Sequence, residues 1–263
     1  MPGNLRCRAS SPHNAMSPDA VEISLVIPAY NEAQRISSTL DRVTAYFDRE
    51  AFPVEILVVD DGSTDSTIEL VRAIAGKDPR VRLVRNDRNR GKGFSIRHGV
   101  LEAKGEIVLF SDADLSSPIE ESRNLLDPIR QGSLDIAIGS RALDRSLIGV
   151  RQSWLREQSG RVFNAFVRII LGLPYNDTQC GFKAFRRVPL IPVFERQKVL
   201  GFGFDPEMLY LARLRGLRTG EIPVRWDHVR GSKVHFLSDA ISMFFDLIRI
   251  HWNHLSGKYR WEN

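Results

Sequence analysis

Cysteine is nearly absent: there are two in 263 residues, Cys7 and Cys180, far apart. This excludes a disulfide-stapled fold and a cysteine-ligated metal cluster, and it favours a reducing compartment. Long apolar runs are missing too. The richest stretch, "VFNAFVRIILGL", is interrupted by Arg168, and no run reaches the roughly 18 residues that a membrane-spanning helix needs. The leader, residues 1–20, "MPGNLRCRASSPHNAMSPDA", lacks the apolar centre of a signal peptide, and its Ser, Pro and Asn content reads as disorder. There is no solenoid repeat, and no low-complexity tract beyond that leader.

What remains is an ordinary globular composition, 43% hydrophobic and 26% charged, long enough for one large α/β domain or two small ones. The net charge is +5 and the pI near 9.4, with much of the excess carried by arginine spread along the chain. Such a balance suits phosphates, nucleic acid or an acidic lipid surface, and does not choose among them.

From residue 21 a pattern repeats: a short apolar run, a polar turn, then helical spacing. The runs are "ISLVIPA", "VEILVVDD", "VRLVRND", "EIVLFSDAD" and "LDIAIGSR", and helices are predicted over about 32–49, 64–77, 91–103 and 118–131. Short β-branched runs alternating with amphipathic helices predict an α/β fold, a mainly parallel sheet with helices on both faces. In such sheets ligands bind at the carboxyl ends of the strands. Those ends read "PAYNE", "DDGSTD", "DAD" and "GSR". After residue 145 the rhythm changes. A long helical segment, "RQSWLREQSGRVFNAFVRIILGL", is followed by "PYNDTQCGFKAFRR", "GFGFDPEMLYLARLRG", a strand-like "TGEIPVRWDH", a "VRGSK" turn and a last amphipathic helix at about 236–255. These read as an extension of the same domain to residue 235, with a C-terminal helix attached over 236–263.

In "SDAD", strand alternation points Asp112 and Asp114, flanking Ala113, to the same side. Two carboxylates so close repel unless a cation sits between them. Oxygen-only ligation with open positions suits Mg²⁺ or Mn²⁺ also held by phosphates. The plainer alternative is that Asp114 caps a helix starting near Pro118. In "VVDDGSTDST", Asp60 and Asp61 end a buried strand and Gly62 permits the turn. Asp65 or Thr64 suits a helix cap, whereas Asp60 follows four apolar residues and would be buried without a partner. "NRGKGFSIRHG" is a basic loop opening a helix, where Lys92 and backbone N–H groups favour a phosphate or a polar base edge. Tyr30 of "PAYNE" either packs on a base or covers the sheet edge. Asp205 before Pro206 has the form of an N-cap with proline at the first helical position.

In this order at strand ends, "VIPAYNEAQRI", "VVDDGSTDST", "NRGKG", "SDADLS" and "IGSRA" resemble the inverting family 2 glycosyltransferases of the GT-A fold. "DTQCGFKAF", "FGFDPEMLYLA" and "VRWDHVRGSKV" sharpen the likeness to polyprenol-phosphate sugar synthases, and most to the dolichyl-phosphate β-glucosyltransferase group. The resemblance covers about residues 21–258. It implies a nucleotide-sugar half over 21–145 and an acceptor half over 146–235. Pro28, Tyr30, Glu32, Asp60 and Asp61 would contact the nucleotide sugar, with Lys92 and Ala113 nearby. Asp112 and Asp114 would bind Mg²⁺ or Mn²⁺, with Ser116 a possible third ligand. Arg141 and Arg156 would hold the acceptor phosphate, and Asp177 and Gln179 would line the sugar pocket. Asp114, Arg141, Arg156 and Asp205 would be the catalytic set.

The implied reaction moves a hexose, from UDP-glucose or alternatively GDP-mannose, to a polyprenyl phosphate. A phosphate monoester is largely dianionic at neutral pH, its second pKa being near ~6, so it needs alignment more than a base. A hydroxyl acceptor on a glycan or metabolite would need a base, for which Asp205 or neighbouring Glu207 is the candidate. A lipid acceptor implies a peripheral place on the cytoplasmic face of a membrane. The last helix suits that, with Leu237, Ile241, Phe244, Phe245, Ile248 and Trp252 on one face and Arg249, His251, His254, Lys258 and Arg260 in or just after it. Packing that face on the domain is the alternative. A nucleotidyltransferase would need a glycine-rich start after the first strand, which is missing. Nucleic acid is disfavoured as a partner, because no aromatic-basic platform is present and acidic strand ends repel a phosphate chain.

Overall fold

The computed structural model describes residues 21–50, 52–150, 152–229 and 236–261, without the side chains of 236–239. The 1–20 leader, most of the "VRGSK" turn and the side chain of Leu237 lie outside the described residues. The five expected strands form where the apolar runs fall: β1 (Ile23–Ala29), β2 (Val54–Asp60), β3 (Val81–Arg85), β4 (Ile107–Ser111) and β5 (Ile136–Ser140). Every residue of β2 is buried, as a strand covered on both faces requires. Helices α1 (Ile36–Glu50), α2 (Thr67–Ala75), α3 (Lys92–Glu102) and α4 (Ser122–Arg130) separate them. Each lies within its predicted range to within one residue, mostly with shorter ends, since the polar turns take the first residues.

The second half completes the same sheet. Helix α5 (Trp154–Leu171) precedes β6 (Phe182–Arg186), α6 (Arg187–Arg196), α7 (Phe204–Leu214), β7 (Thr219–Pro223) and α8 (Phe236–Leu255). The strand order is β3-β2-β1-β4-β6-β5-β7. β6 runs antiparallel to both β4 and β5, and the other pairings are parallel. Neither β6 nor α6 is legible in the sequence. β6 spans five residues and contains Lys183 and Arg186, and α6 carries Pro192 inside it.

Register sets the site. Ala29 pairs with Asp60, Asp60 with Arg85, and Ser111 with Phe182. The antiparallel β6 therefore begins where its parallel neighbours end, so the loop before β6 joins the loops after β1, β2, β4 and β5 at one edge. Alternate residues feed two cores. Val26, Leu57, Val108 and Phe110 face α3 and the C-terminal helices, while Leu25, Ile56, Val58 and Leu109 face α1 and α4.

Helix α8 packs along α5, with Phe244 edge-to-face on Phe166 at 5.1 Å and with Leu247 and Ile250 buried. Part of its apolar face thus does pack on the domain. A second stripe, Ile241, Phe245, Ile248, Trp252 and Leu255, recurs at steps of four and three and is exposed. Leu155, Val162 and Ile169 of α5 are exposed as well. Among the described residues no helix is long and apolar enough to cross a membrane.

Candidate active site

The loops after β1 and β2 are bound to each other. Asn31, at φ 53°, accepts the Thr64 N–H on its side-chain oxygen at 2.7 Å. Asp65 accepts the N–H of Ala33 at 3.1 Å and that of Thr67, the first residue of α2, at 3.0 Å. Asp65 therefore does bind the helix start, although Ser66 occupies the N-cap position. Gly62, at φ +74°, lets the chain turn back, and Asp60 Oδ2 accepts the Gly62 and Ser63 N–H groups, each at 3.1 Å. Asp60 Oδ1 is buried with no partner among the described residues. Such an orphan acceptor costs about 1–3 kcal/mol, which a ligand donor at this edge would recover.

Asp61 is spent differently. It accepts from Asn86 Nδ2 at 2.7 Å, the Arg90 N–H at 2.9 Å and the Gly91 N–H at 2.8 Å, so both its oxygens brace the loop that leads into α3. Tyr30 stands at the rim, 36% exposed, and Glu32 pairs with Arg35 at 2.9 Å. Pro28 lies in β1 beside Val59.

At the end of β4, Asp112 Oδ1 lies 2.6 Å from Lys92 Nζ. Leu115 adopts φ 47°, which costs a leucine about 1–2 kcal/mol, and brings the Ser116 N–H to Asp114 Oδ1 at 2.9 Å. Asp114 thus closes a local turn and does not cap the next helix, whose N-cap is Pro118. The Thr39 hydroxyl fixes the Ala113 carbonyl at 2.6 Å. Burial, then the neighbouring Asp112, push the Asp114 carboxyl above its ordinary range. Burial opposes the charge on Lys92, yet Asp112, with Asp205 and Asp114, outweighs it and holds the ammonium pKa above the usual lysine value.

These residues fit a divalent cation. Two carboxylates converge, one already drawing a cation, and a Cβ on Gly181 would stand 2.0 Å from Asp112 Oδ2. That space exists only because residue 181 is glycine. No cluster of three or more His, Cys, Asp or Glu occurs among the described residues, so water and ligand oxygens would complete the shell.

Beyond β5, Arg141 is clamped by Asp177. Its Nε donates to Oδ2 at 2.6 Å, its Nη2 to Oδ1 at 2.7 Å, and its backbone N–H to Oδ2 at 3.0 Å. Burial would push the Asp177 carboxyl up, but Arg141 outweighs it and holds it below the usual carboxylate range. Glu221 of β7 supports the loop by accepting the Asn176 and Asp177 N–H groups at 2.8 and 2.9 Å. Arg141 opens onto a cavity of about 320 Å³ that Arg145, Arg161, Gln179 and Trp226 also line. Gln179 Nε2 is a buried donor without a partner among the described residues. Glu157 pairs with both Arg145 and Arg161. Arg156 stands on α5 but is not among the lining residues; Arg161, on the same helix, is. The Asp227 N–H, next to Trp226, donates to the Ser116 carbonyl at 2.8 Å, tying the cavity wall to the carboxylate loop.

Asp205 corrects its sequence reading as a cap. Gly203 is the N-cap of α7, and Asp205 lies inside the first turn, 2% exposed, with Lys183 Nζ 2.5 Å from its Oδ1. Lys183 also donates to the Cys180 carbonyl at 2.5 Å, so the pair pins the Cys180–Gly181 backbone against Asp112. Burial pushes the Asp205 carboxyl up, although Lys183 and Lys92 oppose this. Glu207 is fully buried and accepts from backbone N–H groups and Tyr259, away from the cavity.

Sequence reasoning overlooked Lys183, Arg145, Arg161, Trp226 and Glu221. For Lys183 a signal existed: a lone lysine in "GFKAF", where alternation puts it on the face of Phe185, opposite Phe182 and Ala184. The two arginines carried none, since nothing local distinguishes them from surface charge.

The glycosyl transferase family 2 model matches residues 24–194. A dolichyl-phosphate beta-glucosyltransferase of Trichomonas vaginalis is 37% identical over 243 residues, which are 89% of this chain and 72% of that protein. The Dictyostelium discoideum and Homo sapiens proteins of that name are each 34% identical, covering 92% of this chain and 77% and 78% of theirs. Among solved structures, glucosyl-3-phosphoglycerate synthase of Mycobacterium tuberculosis with Mn²⁺, UDP and glucosyl-3-phosphoglycerate superposes with a TM-score of 0.63 at 22% identity, over 92% of this chain and 85% of that one. The same enzyme with Mg²⁺ and UDP gives 0.62 at 24%, over 88% and 78%. The fold is therefore GT-A, and with motifs, topology and relatives in agreement the chain belongs to glycosyl transferase family 2.

Proposed function

We propose that this glycosyltransferase moves a hexose, glucose from UDP-glucose, to a polyprenyl phosphate of the dolichyl type, giving the polyprenyl-phosphate β-hexose. One observation carries the reading: three guanidinium groups, of Arg141, Arg145 and Arg161, line a cavity whose Arg141 lies within electrostatic reach of Asp112 and whose wall at Trp226 is tied through Asp227 to the carboxylate loop at Ser116. Relatives at 34–37% identity that are named for glucose and dolichyl phosphate support both substrates.

On this reading the orphan Asp60 Oδ1 accepts an N–H of the base, Tyr30, Pro28 and Glu32 flank the nucleoside, and Lys92 sits beside the diphosphate. Asp112 and Asp114 would hold Mg²⁺ or Mn²⁺, with Ser116 steadying Asp114 through its amide, and the ion would supply charge neutralisation for the departing diphosphate. Gln179 offers its amide to a sugar hydroxyl. Arg141, already rigid on Asp177, presents a planar donor fork to the acceptor phosphate with little entropy left to lose. Arg156 serves as a more distant charge. The phosphate oxygen attacks the anomeric carbon as the bond to the diphosphate breaks on the opposite side, inverting that centre. No proton has to leave the acceptor, so Asp205 need not act as a base.

The exposed stripes lie on α5, which walls this cavity, and on α8, which packs along α5. With Arg249, His251, His254, Lys258 and Arg260 along or just after α8, they support the proposal of a peripheral place on the cytoplasmic face, against an acidic lipid surface. Incubation with Mg²⁺, polyprenyl phosphate and labelled UDP-glucose should move label into the organic phase, and GDP-mannose should not. Transfer from GDP-mannose alone would reassign the sugar, and no transfer from either donor would overturn the reading. Gly181→Ala tests the carboxylate cradle. Its methyl must displace Asp112, and a misplacement of about 1 Å costs about 100-fold in transfer, with the melting temperature nearly unchanged.

A further inference from the structure

We propose that Tyr259, in the segment after α8, is a positioning residue for the donor side of the site, acting through Glu207 on the loop that carries Lys92. This rests on the reading above only in taking Lys92 as a donor-side group.

The chain of contacts is continuous. The Tyr259 hydroxyl, 2% exposed as a residue, donates to Glu207 Oε1 and accepts from Asn253 Nδ2 of α8 at 3.3 Å. Glu207 accepts the Lys198 N–H at 3.0 Å and the Val199 N–H at 2.7 Å. The same short segment lies flush on the Lys92 loop. The Leu200 carbonyl accepts the Phe94 N–H at 3.0 Å, and Gln197 Nε2 donates to the Gly93 carbonyl at 3.0 Å. A Cβ at Gly91 would stand 2.6 Å from the Leu200 carbonyl oxygen, and one at Gly93 would stand 2.9 Å from that of Gly201. Lys92 lies between those two glycines with its ammonium on Asp112. The far end is anchored as well, since Trp261 lies between the guanidiniums of Arg196 and Arg215, at 4.4 and 4.6 Å.

Glu207 is a fully buried carboxylate, and each of its donors carries part of what water would otherwise supply. Without the tyrosine hydroxyl, the carboxylate draws harder on its other donors among the described residues, the 198–199 amides, or opens toward solvent. Either response shifts the segment on which the Lys92 loop rests. The last helix and its tail thereby hold the donor loop in register, although none of their described residues lines the cavity.

Tyr259→Phe in the full chain tests this, because it keeps the ring and removes one hydroxyl. Amide exchange at Lys92–Phe94 and at Lys198–Leu200 should accelerate about fivefold, the worth of one hydrogen bond, with strand amides unchanged. By titration calorimetry the dissociation constant for UDP with Mn²⁺ should rise by a similar factor, and in the transfer assay KM for the donor should rise while KM for the acceptor stays. Unchanged exchange at 92–94 would overturn the proposal, as would equal rises in both KM values. If no sugar donor is used, the function proposed above fails, while the exchange readout on the unliganded chain still decides the coupling.

Discussion

Asp114→Asn is expected to lower transfer by about 10²–10³-fold, the usual cost of removing one aligned electrostatic group, without loosening the fold. Asparagine keeps the shape and can still accept the Ser116 N–H that closes the turn at Leu115. What disappears is one of two negative charges. The sign for stability is opposite to that for activity. Burial and Asp112 hold the Asp114 carboxyl above its ordinary range, so its ionised form is less favourable in the folded chain than in the unfolded one. A neutral residue relieves that cost at neutral pH, and the melting temperature should stay level or rise. Mn²⁺ titration of the variant should show weakened binding in step with the lost activity. A variant that binds Mn²⁺ like the parent and transfers within about tenfold of it would remove Asp114 from the cation site.

Lys183→Met is expected to have the largest effect on stability. The ammonium is fully buried on Asp205 at 2.5 Å and on the Cys180 carbonyl. Removing one partner strands the other charge, at a cost of about 3–5 kcal/mol, or about 10 °C in melting temperature for a chain of this size. Lys183→Met combined with Asp205→Leu should recover most of the loss, because a well-packed apolar pair is often as stable as the ion pair it replaces. The double variant also separates two chemistries. A general base contributes about 10²–10⁴-fold, so an enzyme relying on Asp205 to deprotonate a hydroxyl would be inactive even after refolding. An enzyme whose acceptor arrives as a phosphate dianion should regain activity with stability. Recovery of the fold without recovery of transfer would return Asp205 to the role of base.

The strand-end motifs were legible because short β-branched apolar runs and polar punctuation are local properties. β1 to β5, α1 to α4 and the sheet edge bearing Asp60, Asp112, Asp114 and Arg141 follow from them directly. The resemblance carried by "DDGSTD", "SDAD" and "DTQCGFK" reached the family as well. The division of labour among the carboxylates was not legible. Asp60 and Asp61 are adjacent and chemically identical, yet one keeps an orphan oxygen and the other spends both on the loop before α3. Asp205 has the sequence form of a helix cap, and it is an ion-pair partner because β6 brings Lys183 beneath it.

The sequence by itself determined which segments become strands and helices, that the charged residues gather at the carboxyl edge of the sheet, and which family the chain joins. Backbone propensity and side-chain alternation act over a few residues, so a linear reading captures them. Only the tertiary structure decided the antiparallel entry of β6, the arginine-lined cavity between α5 and the β5 loop, and the contact of Tyr259 with Glu207. Those features depend on partners such as Arg141 with Asp177, Lys183 with Asp205 and Tyr259 with Glu207, which lie 36, 22 and 52 residues apart. What each charge does was decided by its neighbour across the fold, because a buried charge takes its role from whatever is close enough to satisfy it.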